Sequence, residues 1–290
     1  MGLVWCVRLP LEGTWIMTFI ITLIALLLER FFHWHHVRHW RWFLSYERWL
    51  CARMSALPAE LLLGVIALPP LLIIGALQYI LAGWLWGALE GVLSVIVLLY
   101  CLGPHNLWVQ AYRCIDQINK QEPTAIAQAQ TSFGFVAADN TQAFHQTFVR
   151  AIFSASHQRI FAVFFWFILL GPVGAVLYRI MEFVSTQAMT GAKLASQIKG
   201  LLDWLPVRLE TFLFALGGHF TEVFACWKRG VLTKPSTNEQ FLTDCGMAAL
   251  DLLEGGRLPE TGVAEQAALA LIDRIFVIGL VVLAMMVLLS

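Results

Sequence analysis

The chain has 290 residues, 19 Lys and Arg against 19 Asp and Glu, and is 59% hydrophobic but only 13% charged. Its mean hydropathy of +0.72 excludes an ordinary soluble domain, and its zero net formal charge provides no basic field for nucleic acid. Cys6, Cys51, Cys101, Cys114, Cys226 and Cys245 form no C-x-x-C pair, so the spacing shows neither a zinc site, a redox motif nor a disulfide framework.

We read an all-α polytopic membrane protein, with five to six transmembrane or re-entrant helices and amphipathic helical cytoplasmic segments. Residues 1–16 carry Arg8, Pro10 and Glu12. An apolar run follows from Thr14 to Leu28 and ends in Glu29-Arg30. No A-x-A-like cleavage site comes after it, so it is an uncleaved first span; being short, it either extends into residues 9–13 or holds Glu29 and Arg30 paired at membrane depth. His35 and His39, four residues apart, could ligate a metal. The surrounding Trp34, Trp40, Trp42, Arg38, Arg41, Arg48 and Arg53 instead describe an aromatic, basic belt at a cytoplasmic interface, and no metal is expected.

The second span is Leu57 to Leu81, where Pro69-Pro70 should bend the helix and free carbonyls for a neighbour. Gly83 to Leu102 is the third, and places Glu90 inside the membrane as a candidate polar site. From Pro104 to Gln158 the chain is polar and helical: Leu107, Ala111, Cys114 and Ile118 share one face, and so do Phe144, Phe148, Ile152 and Ala155. Between these helices EPTAIAQAQTSFGFVAADN reads as a connector, and no G-x-x-x-x-G-K-[ST] phosphate loop occurs.

Ile160 to Met181 is the fourth span, kinked at Gly171-Pro172 and closed by Arg179 and Glu182. A polar connection over 185–200 leads to LLDWLPVRLETFLFAL, Leu201 to Leu216. There Asp203 should cap a helix starting near Trp204, with Pro206 in its first turn and Arg208 within reach of a carboxylate or a bound anion. This element is either a capped interfacial helix with a snorkelling Arg or a ligand-binding helix. A second polar loop, 221–266, holds one amphipathic helix through Phe241, Cys245 and Leu252. Ala267 to Leu289 is the last span, with Asp273-Arg274 satisfied near its start by each other or by a partner helix. If all six segments cross, the loops 29–56, 103–159 and 221–274 share the positive, cytoplasmic side.

FFWFILLGPVGAVLYR in the fourth span and DWLPVRL together resemble the CobD/CbiB superfamily, and MTFIITLIALLLERFF from Met17 is similar to its AmpE branch, which implies that residues 1–16 are an over-called start or an N-terminal extension. ALGGH at Ala215 to His219 adds to the resemblance. The AmpE resemblance implies a bacterial inner-membrane protein associated with the AmpD amidase, peptidoglycan recycling and β-lactamase induction, without established catalysis. The enzyme branch implies an ATP-dependent cobinamide-type amide synthase. That branch continues its Y-R with an N-T-L-D-S segment, whereas Tyr178-Arg179 here is followed by IMEFVSTQAM. The regulator is therefore the expected function and a synthase the alternative. A small-solute transporter is a third reading, suggested by the broken second span and Glu90. No cofactor is expected; in the enzyme reading ATP or another phosphate ligand would sit by Asp203 and Arg208, with Arg179 and Glu182 as further candidates. The other expected partners are the lipid bilayer and proteins of cell-wall recycling.

Overall fold

Apolar residues dominate this chain so strongly that backbone polar groups must be satisfied within each segment, and helix is the local solution. The computed structural model describes residues 13–31, 40–54, 57–82, 87–103, 106–122, 124–136, 141–187, 189–252 and 262–289. Most of the 1–16 extension and the candidate pair His35 and His39 lie outside the described residues. The helices are α1 (Gly13–Phe31), α2 (Arg41–Arg53), α3 (Ala59–Leu81), α4 (Ala88–Cys101), α5 (Leu107–Asn119), α6 (Ala125–Phe133), α7 (Thr141–Ser156), α8 (Ala162–Thr186), α9 (Ala192–Gly217), α10 (Phe220–Gly230), α11 (Asn238–Ala249) and α12 (Val263–Leu289). No strand occurs among the described residues.

Among the described residues, three helical stretches are long and apolar enough to cross a membrane: Ala59–Leu81, Gln142–Thr186 and Val263–Leu289. Shorter apolar helices cover Ile16–Glu29 and Ala88–Cys101. Apart from Glu60, Gln266 and Arg274 toward the helix starts, the exposed side chains of α3 and α12 are mostly apolar, including Leu68, Leu72, Ile73, Val277, Val281 and Met285, as a lipid-facing surface requires. These features make the chain a helical membrane protein. The 45-residue stretch 142–186 is continuous through α7 and α8; at about 1.5 Å per residue it exceeds twice a ~30 Å hydrocarbon core, so part of it stands outside.

Several elements differ from the expectation. α4 covers residues 88–101 of the third span, with Glu90 in its first turn, where a carboxylate complements the helix dipole. The presumed connector contains α6, ended by Gly134 in a left-handed conformation. The polar connection over 185–200 is already helical from Ala192, and α10 occupies part of the second loop.

Prolines inside helices have specific partners. Pro70 has no N–H for the carbonyl of Ile66, four residues back. The Tyr46 hydroxyl donates to that carbonyl at 3.4 Å. Pro206 likewise orphans the Leu202 carbonyl, which accepts from Trp166 Nε1 at 3.2 Å. α3 and α9 therefore run through their prolines. In α8 the chain bends instead: Gly171 has φ 68° and ψ −160°, directly before Pro172.

α9 packs along α8 and also meets α10, α11 and α12. Its amphipathicity is reversed relative to a soluble helix. Leu201, Leu205, Leu209, Phe212 and Leu216 are exposed, whereas Asp203, Arg208 and Glu210 are buried. Such a face gains in apolar surroundings and loses in water.

Candidate functional site

The expected cap at Asp203 is not what the structure shows. α9 starts twelve positions earlier than expected, after Gly191 with φ 82°, so Asp203 and Pro206 are interior. A side chain at position 191 would meet the Ala59 carbonyl oxygen and Leu63 Cβ, both at 3.0 Å, which explains the glycine there. Asp203 is thereby freed from backbone capping. Glu210 follows it by seven residues, two turns along the same face.

The residue that meets both carboxylates is His157, a position the sequence reading did not single out. α7 and α8 are joined by a π-turn, His157–Phe161. Such a turn inserts extra width into a helix and re-aims its side chains, a device common at functional sites. His157 Nδ1 lies 2.6 Å from Glu210 Oε2, and Nε2 lies 3.1 Å from Asp203 Oδ1. Asp203 Oδ1 also accepts from the Tyr178 hydroxyl at 2.8 Å. Its Oδ2 accepts from Lys199 Nζ at 2.8 Å.

An imidazole can donate through both ring nitrogens only as the imidazolium. With both carboxylates ionised, His157 and Lys199 then neutralise Asp203 and Glu210 two against two. That balance makes burial tolerable. Tyr178 and Glu210 are fully buried and His157 is 3% exposed. One acceptor is left over: Glu210 Oε1 is buried without a hydrogen-bond partner. The arrangement can hold or shift a proton between His157 and Glu210 while locking the rod 142–186 to α9.

The other candidate residues fall in separate places. Arg179 Nη1 pairs with Glu182 Oε2 at 3.0 Å within α8. Arg208 points away from Asp203 into the link between α10 and α11. Nε donates to the Val231 carbonyl at 3.1 Å, Nη1 to the Trp204 carbonyl at 3.1 Å and to Asn238 Oδ1, and Nη2 to the carbonyl and hydroxyl of Thr233 at 2.9 and 3.2 Å. Those contacts use all five N–H groups, and the rings of Trp204 and Phe241 lie 4.6 and 5.3 Å from the guanidinium carbon. Arg208 is a clamp in this geometry.

Glu29 is buried, and its carbonyl accepts from Asn106 Nδ2 at 2.7 Å. The Arg30 side chain lies outside the described residues. Asp273 accepts from Trp108 Nε1 of α5 at 2.8 Å. Arg274 reaches the Gly217 carbonyl of α9 at 3.4 Å. A second buried pair also escaped the sequence reading: His145 Nδ1 of α7 lies 2.5 Å from Glu265 Oε1 of α12. No group of three or more metal-ligating side chains occurs among the described residues.

Cavities lie elsewhere. One of about 690 Å³ separates α5 from α6, one of about 540 Å³ opens beside Cys226 and Arg229, and an apolar one of about 420 Å³ lies against Trp42 and Pro69-Pro70. None of the three is lined by His157, Asp203 or Glu210.

Over 117 residues, 37% of this chain and 37% of the relative, the sequence is 31% identical to cobalamin biosynthesis protein CobD of Chromobacterium violaceum. Over 200 residues, 63% of this chain and 64% of the relative, it is 28% identical to cobalamin biosynthesis protein CobD of Stutzerimonas stutzeri. The chain thus spans about a third of the first relative and just under two thirds of the second. No solved structure matches. The model of the family described as regulatory signalling modulator protein AmpE matches residues 17–290, and the chain belongs to the AmpE family.

Proposed function

We propose that this protein is a multi-pass inner-membrane regulator linked to peptidoglycan recycling and β-lactamase induction, acting together with the AmpD amidase pathway through a change of helix packing. The family match supports the regulatory part. The observation that carries the mechanism is the closed His157 network. Both carboxylates are buried and three of their four oxygens are held by His157, Tyr178 and Lys199, which suits a two-state lock better than a site that must admit substrate. Separating the rod from α9 would take the His157 cation from Glu210 and leave Asp203 with Lys199 of α9 alone, so the network favours one packing, and a signal acts by favouring the other. Deleting the gene and measuring β-lactamase induction and muropeptide pools tests this reading. Unchanged induction and unchanged pools would remove it.

The CobD relatives favour a second reading, an ATP-dependent amide synthase. Here the nucleotide would need its own anion site, because Arg208 has no N–H left to offer. Equilibrium binding of ATP and of cobinamide to the purified protein decides it; binding of neither dismisses the synthase.

A further inference from the structure

Cys226 of α10 and Cys245 of α11 are both buried, and their Sγ atoms are 2.9 Å apart. They are separated by 19 residues in sequence, which is why spacing showed no pair. The two thiols are not equivalent. Cys226 borders the cavity of about 540 Å³, together with Arg229, Thr233, Thr237, Gln240 and Asp244, whereas Cys245 does not line it. The Cys245 thiol donates to Cys226 Sγ. That hydrogen bond holds the Cys226 thiol below its ordinary pKa, with Arg229 assisting and burial and Asp244 opposing. The same bond, followed by burial, pushes Cys245 up. The opposing charge of Asp244 is offset from another side, since Arg150 Nη1 of α7 lies 2.6 Å from Asp244 Oδ1.

We propose that Cys226 and Cys245 form a peroxide-reactive dithiol site, with Cys226 as the attacking and Cys245 as the resolving sulfur. A thiolate with cavity access beside an arginine is the arrangement that reacts with a small peroxide. The Cys226 thiolate attacks one oxygen of hydrogen peroxide; the O–O bond breaks, a sulfenic acid forms and hydroxide leaves to become water. The Cys245 sulfur then attacks Cys226 Sγ. The S–O bond breaks, the S–S bond forms, and hydroxide takes the Cys245 proton as a second water. Two thiols and one peroxide thus give one disulfide and two waters.

The disulfide would join α10 to α11 across the Arg208 clamp. Thr233 and Phe241 belong to both places: they line the cavity and contact the Arg208 guanidinium. Oxidation therefore fixes the segment that α9 holds through Arg208, independently of the regulatory reading above.

The test uses the full chain purified in detergent, treated with hydrogen peroxide, alkylated, digested and examined by mass spectrometry without reductant. Lys228, Arg229 and Lys234 lie between the two cysteines, so trypsin separates their peptides. The expected result is a linked Cys226–Cys245 peptide, two hydrogens lighter than its parts, which dithiothreitol splits. In Cys245→Ser, dimedone should label Cys226; in Cys226→Ser, Cys245 should remain alkylatable. Full alkylation of both thiols in peroxide-treated wild type overturns the proposal, and dimedone labelling of Cys245 in place of Cys226 overturns the assigned roles. The wild-type measurement decides the pairing even if either variant fails to fold.

Discussion

His157 Nδ1 and Glu210 Oε2 are 2.6 Å apart, in side chains that are 3% and 0% exposed, and they join the π-turn of the rod to α9. Replacing His157 by Leu removes the cation between two buried carboxylates. The loss should be about 3–5 kcal/mol, the usual cost of breaking a buried pair by removing one partner. Thermal unfolding in detergent measures it. Glu210→Gln in the His157→Leu background should restore part of that stability, because it removes one of the uncompensated charges; no recovery would mean that the pair is not coupled.

Tyr178→Phe removes a hydroxyl that donates to Asp203 at 2.8 Å without changing ring volume. A hydrogen bond to a charged group contributes about 1.5–3 kcal/mol. The same unfolding experiment should show a loss in that range, with helix content unchanged by circular dichroism.

Arg208→Lys should be nearly as damaging as Arg208→Ala. Lysine keeps the charge but cannot supply a planar fork to Val231, Trp204, Thr233 and Asn238 together. Losing two or more charged hydrogen bonds should cost at least about 3 kcal/mol. Binding of inorganic phosphate to the wild-type protein that vanished in Arg208→Lys at full stability would show an anion site instead of a clamp.

Gly171→Ala should destabilise α8, because φ 68° with ψ −160° is a region that only glycine occupies readily. The expected cost is about 1–3 kcal/mol. Lower folded yield and earlier unfolding than the wild type would show it; an unchanged unfolding temperature would mean that the bend is dispensable.

The apolar helices and the Gly171-Pro172 bend were legible because they depend on local composition and on the fixed φ of proline. The helical faces of α5 and α7 were legible for the same reason, since Leu107, Ala111, Phe144 and Phe148 repeat at one turn. Asp203 and Glu210 were visible as charges in an apolar run, and their spacing of seven already put them on one face. Their partner was not visible. His157 is 46 residues from Asp203, and its direction depends on a π-turn that leaves no spacing signature. Asp203 was read as a cap because a proline three residues later suits the first turn of a helix. The structure instead starts α9 at Ala192, and Trp166 answers the carbonyl that Pro206 leaves free. The contact of Cys226 with Cys245 and that of His145 with Glu265 depend equally on tertiary packing.

The regulatory account is tested most directly by complementing a deletion strain with wild-type protein or Glu210→Gln, at equal membrane levels, and measuring β-lactamase induction by a β-lactam. Wild type should restore the parental response. Glu210→Gln should leave the protein in the membrane but shift the induction threshold, because it changes the charge balance of the lock without emptying its volume. Identical induction in the parental, deleted and complemented strains would contradict the account.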